Sequence, residues 1–376
     1  MHFTKKSGRR KALASLTAAS VVTALALAGC SSTGDGAGDG DSATPYYEGK
    51  TITMIVPTDA GGTVDTAGRF LAEFLTKHVE GNPKVVIENI TGGNQLVGAN
   101  EYMTRDHDGT ELFINGNGTT LYQLLGNPQK VFDYGDFTPL IAFGGNALVA
   151  ANQQSGITDG KSLDAADSPI YGGLSASGTD LPNMVALELL GVDYTPVLGY
   201  ESNASKRLAF LQGEMDLSSD STQSFLREMK EEYESGQIKF IYSYGPMNDD
   251  GTLGHDPLLP DVPNVHELYE QINGKEVDSN SIVDKAYMAI IASRALSNVL
   301  WVFKDAPDEA QQALKDAVDA MIADPDFTAG LDAALGGNQP STGDQIQPPL
   351  QAVLKPDPEV VQWIKDFLLD KFDVTV

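Results

Sequence analysis

The chain contains a single cysteine, Cys30, in 376 residues. Its folded body can therefore form no internal disulfide and has no thiolate for catalysis or for zinc. Basic residues are scarce as well: 25 Lys and Arg stand against 52 Asp and Glu, a formal net charge of −27. Phosphate backbones are bound through Lys and Arg, so nucleic acid is excluded as a natural partner. The acidic residues are scattered singly, which marks a solvated surface. Screening over about 8 Å at physiological salt keeps this net charge from forbidding an anionic ligand. The five histidines, His2 included, form no H-E-x-x-H or other close ligand spacing, so no metal site is expected. No G-x-x-x-x-G-K-[ST] occurs, so no nucleotide triphosphate site is indicated, and no cofactor is called for.

A long hydrophobic run is also missing. The most apolar stretch, residues 12–28, is interrupted by Ser and Thr and is short for a bilayer span, which needs about 20 strongly apolar residues. It follows Lys5, Lys6, Arg9, Arg10 and Lys11 and ends in Leu27, Ala28, Gly29, Cys30. A cationic start, an apolar middle and small residues at a cleavage point make residues 1–29 a lipoprotein signal peptide, with Cys30 as the lipidated first mature residue. More than one acyl chain on Cys30 would hold the body firmly at the outer face of a membrane. Residues 31–43 are Gly, Ser, Asp, Thr and Ala only. This composition behaves as flexible coil, and residues 30–45 form a lipidated tether.

The remaining body exceeds the usual size of one hydrophobic core, so two lobes are expected. Residues 51–56 form a buried strand, followed by a turn at 57–62. Ala67, Phe70, Leu71, Phe74 and Leu75 then recur at helical spacing, with Thr63 or Asp65 placed to cap the helix. The pattern repeats with a strand at 85–88, a loop at Gly92, Gly93 and Asn94, and a helix at 99–103. A further strand at 112–115 runs into Gly116, Asn117, Gly118, Thr119 and Thr120. In the second lobe, Ile170 and Tyr171 end a strand, residues 172–178 form a Gly/Ser loop, and a helix runs through Met184, Val185 and Leu189 with Pro182 in its first turn. Amphipathic helices are predicted at 307–323 and 358–372. Alternation of strands and helices predicts an α/β fold whose sheets are mixed and mainly parallel. Two apolar runs, 140–151 and 286–292, are the expected crossings, giving 46–148 with 286–376 as lobe 1 and 149–285 as lobe 2.

A strand, a Gly-rich loop and a helix start bring unpaired backbone N–H groups and the positive end of a helix dipole to one point, a setting suited to an anion. The loop at 56–65 has this form, and so does 172–179; two such loops facing across a cleft would make a clamp. A connecting turn with Gly serving only backbone geometry is the plainer alternative. Ser175, in Gly173, Leu174, Ser175, Ala176, Ser177, resembles a nucleophile elbow but has Ser where the second Gly belongs. A hydrolase would draw its base from His255 or His266, both in a Pro-rich region without supporting pattern. Tyr200, Ser202 and Asp220 follow strand-like runs and are either ligand contacts or ordinary loop residues.

Several segments carry a resemblance in the same order along the chain: ITMIVPTDAGGTVDTAGRF at 52–70, VVIENITGG at 85–93, FDYGDFTPLIA at 132–142, the loop and helix at 171–190, LAFLQGEMDLSSDS at 208–221 and LLPDVPNVHELY at 258–269. The chain resembles the substrate-binding proteins of tripartite tricarboxylate transporters, the Bug-type extracytoplasmic solute receptors. This resemblance implies a two-lobed periplasmic-binding-protein fold of type II, each lobe a sheet flanked by helices. It implies a non-enzymatic receptor, a monomer, which captures a small organic carboxylate in its cleft and hands it to transporter membrane subunits. The positions that match are Thr58, Asp59, Ala60, Gly61, Gly62, Thr63 and Asp65 in the first lobe; Thr119 is a further ligand-binding candidate. In the second lobe they are Ser175, Ala176, Ser177, Gly178 and Thr179, then Tyr200, Ser202 and Asp220. Thr58 and Asp59 depart from the apolar and small residues usual there, so Asp59 either faces solvent or meets a cationic or donor group of the ligand. A binding protein of another transporter class or a sensor system, and a secreted serine hydrolase using Ser175, are the alternative readings.

Overall fold

The computed structural model describes residues 44–248, 250–336 and 338–376. The expected signal peptide, Cys30 and most of the expected tether lie outside the described residues. Ten strands are described: β1 (Thr51–Val56), β2 (Lys84–Asn89), β3 (Glu111–Ile114), β4 (Phe137–Phe143), β5 (Ala147–Asn152), β6 (Ile170–Gly173), β7 (Thr195–Leu198), β8 (Leu217–Ser221), β9 (Ile238–Ser243) and β10 (Asn298–Phe303). The first seven helices are α1 (Thr63–His78), α2 (Leu96–Tyr102), α3 (Asn117–Leu125), α4 (Gly160–Asp164), α5 (Leu181–Leu190), α6 (Asn203–Leu211) and α7 (Thr222–Glu228). The others are α8 (Lys230–Glu234), α9 (Val265–Asn273), α10 (Ile282–Ser293), α11 (Asp308–Ile322), α12 (Pro325–Leu335), α13 (Gln347–Leu354) and α14 (Pro358–Phe372).

The strands form two sheets on one plan. Sheet 1 has the order β2-β1-β3-β10-β4 and sheet 2 the order β7-β6-β8-β5-β9. In sheet 1, β1 lies parallel to β2 and β3, and β10 is antiparallel to β3 and β4. In sheet 2, β6 lies parallel to β7 and β8, and β5 is antiparallel to β8 and β9. The chain thus enters sheet 2 through β5 and returns to sheet 1 through β10. Both strands are buried along their whole length, which is why they read as continuous apolar runs.

The strand at 51–56, the helix with Pro182 in its first turn and the helix at 358–372 stand as the sequence pattern predicts. Three local details differ. Ile170 and Tyr171 begin β6, which continues to Gly173. Residues 117–125 are helical from Asn117 onward, although Asn and Gly are poor helix formers; the helix is held by its buried face. The run at 286–292 lies inside α10, and residues 294–297 carry the chain into β10. A short apolar run fits helix and strand equally.

Helix α1 packs its Val64, Ala67, Leu71, Phe74 and Leu75 inward. Phe327 of α12 stacks on Phe70 at 5.0 Å and meets Phe74 edge-on at 5.1 Å. Each of the buried Val, Leu and Phe side chains among these stabilises the fold by about 1.5–3 kcal/mol.

Candidate ligand-binding site

In each sheet the parallel strands end at the same edge, so the segments after β1, β2 and β3 are neighbours, as are those after β6, β7 and β8. Ligands of open α/β sheets bind outside the carboxyl ends of such strands. Helices α1, α3 and α5 all start at these edges, and none has a side-chain hydrogen bond at its N-cap. Their first-turn amides have no intrahelical acceptor, and each helix dipole adds positive potential there.

Contacts tie the two edges together. Thr63 Oγ1, at the start of α1, lies 3.2 Å from Ser221 Oγ and 3.3 Å from Ser224 Oγ. Ser221 ends β8 and caps α7 by accepting the Ser224 amide. On the other side, Asn94 presses against Gly178: a Cβ on Gly178 would stand 2.0 Å from Asn94 Nδ2. Asn94 and Gln95 hold positive φ angles of 50° and 80°, a strained conformation for residues with side chains and one that collects at ligand clamps. Thr58 Oγ1, Asn94 Nδ2 and both amide atoms of Asn117 are buried without a hydrogen-bond partner. Such groups cost about 1–3 kcal/mol each unless something satisfies them, and all of them follow β1, β2 or β3.

Two aspartates fix the clamp loops. Asp65 is buried and accepts from the Gly61 amide, Arg69 Nε and Asn89 Nδ2, each at 2.8 Å. Burial raises its pKa, but the bonds from Arg69, Gly61 and Asn89 outweigh that and hold the carboxyl below its ordinary value. Asn89 also donates to the Thr58 carbonyl. Asp65 is therefore a brace, and neither it nor Thr63 caps α1, whose N-cap is Gly62. In sheet 2, Asp180 accepts from the amides of Leu174 at 2.7 Å and Ser175 at 3.2 Å and from Tyr171 Oη at 2.6 Å. Its charge faces buried Lys206 at 3.9 Å. The amides of Gly61 and Ser175 are thus occupied within the protein.

The other expected residues divide as follows. Asp59 and Ala60 are exposed, and Gly62 donates its amide to the Asp59 carbonyl. Thr119 is buried, donates to the Gly116 carbonyl and accepts from Tyr134 Oη. Ala176, Ser177 and Gly178 are buried between β6 and α5, and Thr179 is half-buried beside them. Tyr200 follows β7, half-buried, with its amide on the Gly173 carbonyl. Ser202 caps α6 in a reciprocal box with Ser205, and Asp220 pairs with Arg207 at 2.9 Å. Sequence reasoning passed over Asn94, Asn117, Asp180, Ser221 and Ser224. A third strand-loop-helix unit at 85–103 was the signal for Asn94; Asp180 before Leu181-Pro182 has the look of an ordinary cap.

Ser175 Oγ lies 3.5 Å from Ser177 Oγ, while His255 pairs with Glu267 and His266 with Asp284. The histidines that a hydrolase would need are committed elsewhere. Among the described residues, no group of three or more His, Cys, Asp or Glu side chains could hold a metal ion, and no helix is long and apolar enough to cross a membrane.

Two mixed sheets of this order, joined by exchanged strands, with uncapped helix N-termini at their facing edges, define the periplasmic-binding-protein fold. The solved structures agree. The chain superposes on periplasmic binding protein BugD with a TM-score of 0.62 at 20% identity, covering 85% of this chain and 98% of that one. For Rpa4515 of R. palustris, solved with adipate, the TM-score is 0.63 at 19% identity, over 84% of this chain and 97% of that one. For MatC from Rhodopseudomonas palustris, solved with malate, it is 0.59 at 19% identity, over 84% and 98%. In sequence, the chain is 23% identical over 293 residues to a UPF0065 protein of the TAR-I ttuE-ttuC' intergenic region of Agrobacterium vitis, 74% of this chain and 73% of that protein. No family model matches. The chain therefore resembles BugD, Rpa4515 and MatC in fold.

Proposed function

We propose that this chain is an extracytoplasmic solute receptor that captures a small organic carboxylate and delivers it to a tripartite tricarboxylate-type membrane transporter. The reading takes residues 46–148 and 286–376 as one lobe, 149–285 as the other, and Cys30 as the lipid anchor of a monomer. The observation that carries it is the meeting of three uncapped helix N-termini with unpartnered polar groups of Thr58, Asn94 and Asn117. A carboxylate supplies the acceptors that Thr58 Oγ1, Asn94 Nδ2 and Asn117 Nδ2 lack, and closure of the two loops encloses it. The binding residues are Thr58 and Thr63 on one side and Ala176, Ser177 and Thr179 on the other, with Gly62 and Gly178, whose amides go to the Asp59 and Ser175 carbonyls, shaping the loops. Asp65 and Asp180 hold the loops in shape. The exposure of Asp59 supports the reading in which it points to solvent.

A receptor that must both scavenge and release suits a Kd near micromolar, about −8 kcal/mol. Native mass spectrometry of gently purified protein, followed by a thermal-shift panel of organic acids, tests the reading. A true ligand at a hundredfold excess over Kd stabilises by about 2.7 kcal/mol. A panel in which no carboxylate moves the transition would retire the proposal. Lipidation is checked separately, by the mass of the mature N-terminus and its loss in Cys30→Ala.

A further inference from the structure

Around the clamp, Arg69, Lys206 and Arg207 each face an aspartate within 4 Å, at 2.8, 3.9 and 2.9 Å. Arg294 does not: among the described residues no carboxylate lies within ion-pair distance of it. It is half-buried where the chain crosses between the sheets. Its Nε donates to the Gly145 carbonyl at 2.9 Å, and the Gly145 amide donates back to the Arg294 carbonyl at 3.1 Å. Its guanidinium carbon lies 5.2 Å from the centre of the Tyr244 ring. Both crossings thus meet at this one cation, whose pKa burial pulls down. A guanidinium stays charged in proteins, so its burial carries a desolvation cost, offset only in part by the field of buried Asp256, that an arriving anion would relieve.

Beside the guanidinium lies a hydroxyl that lacks a partner. The point where a Cβ on Gly145 would stand lies 2.8 Å from Ser297 Oγ and 3.5 Å from Arg294 Nη2, and Ser297 Oγ is buried without a hydrogen-bond partner. The same turn is joined to the clamp. The Leu296 carbonyl accepts from Asn115 Nδ2 at 2.7 Å and Thr120 Oγ1 at 3.0 Å, both at the start of α3. From Gly145 the chain passes to Asn146, whose carbonyl accepts the Thr222 amide next to Ser221.

We infer that Arg294, with Ser297 beside it, is a specificity-determining binding residue that receives a second anionic group of the ligand while the loops hold its first. The inference rests on the proposed carboxylate reading and adds to it a charge requirement at the hinge.

The test is calorimetric titration of the protein with α,ω-dicarboxylates from malonate to adipate and with monocarboxylates of matched chain length. Wild-type protein should bind at least one dicarboxylate ten times or more tighter than its matched monocarboxylate. Arg294→Gln should abolish that ratio by weakening the dicarboxylate tenfold or more, leaving the monocarboxylate within twofold. Arg294→Lys keeps the charge without the bond to Gly145 and should retain part of the preference; it decides the matter if the Gln variant does not fold. An unchanged ratio in the variants, or equal loss for both ligands, would overturn the inference. Equal binding of both members by wild type overturns it too and leaves the carboxylate reading standing. Binding of neither member overturns both.

Discussion

Asp65 and Asp180 each turn a carboxylate back onto the loop that precedes its own helix, occupying amides that an anion would otherwise reach. Replacing Asp180 by Ala leaves Lys206 buried without its charge partner and frees the Leu174 and Ser175 amides. The expected loss is about 3–5 kcal/mol of stability, read from urea unfolding. At Gly178 the constraint is contact, since any Cβ meets the Asn94 amide group. Gly178→Ala should weaken ligand binding about tenfold, or roughly 1.4 kcal/mol, with the unliganded protein nearly as stable as wild type. In the double variant Asn94→Ala, Gly178→Ala the loss should be smaller than the sum of the two single losses, because the clash disappears with the amide it strikes, and titration of the pair against the single variants checks this coupling. The glycine loops were legible because Gly and Ser gather where a strand hands over to a helix. The bracing aspartates were not, because Asn89 and Lys206 are brought to them only by the fold.

Between elements, two contacts can be weighed. Asp324, at the start of α12, accepts from Lys77 Nζ at 2.6 Å and pairs with His78 at 2.9 Å, both at the end of α1. Lys77 first, then the Asp326 amide and His78, lower its carboxyl from 3.8 to about 2. A depressed folded-state pKa stabilises fully above the unfolded value and is lost as pH falls through the folded one. Wild-type protein should therefore lose stability between pH 3.8 and about 2, and Asp324→Asn should show a shallower decline in the same acid titration. The seam of Thr63, Ser221 and Ser224 joins α1 to α7. Thr63→Val should lower ligand affinity three- to tenfold, about 1 kcal/mol for a lost hydrogen bond, as measured by calorimetry. Strongly periodic elements such as β1, α1 and α14 were readable from side-chain spacing alone. Helix α3 was hidden by its Gly116, Asn117, Gly118 start, since its stability comes from packing and not from propensity.

At the scale of the molecule, the sequence makes the α/β architecture and the glycine-rich loops after β1 and β6 legible, because alternating strands and helices and the family-like segments are local patterns. It could not reveal which distant strands pair, because strand pairing is decided by contacts made only in the folded chain. The exchange of β5 and β10 has a bearing on how the protein comes into being. Strands β5 to β9 are consecutive, so sheet 2 can finish as soon as its own segment is present. Sheet 1 must wait for β10: Asn115 receives the amide of Val299, 184 residues further on. Closing so long a loop comes before its contacts can reward it, which makes such pairings late and slow. In pulsed hydrogen exchange during refolding, amides of β6 and β8 should gain protection before those of β3 and β10. Until that last strand is seated, β3 and β4 keep open edges, and the span before maturity is when the chain is most exposed to proteases and to its own copies.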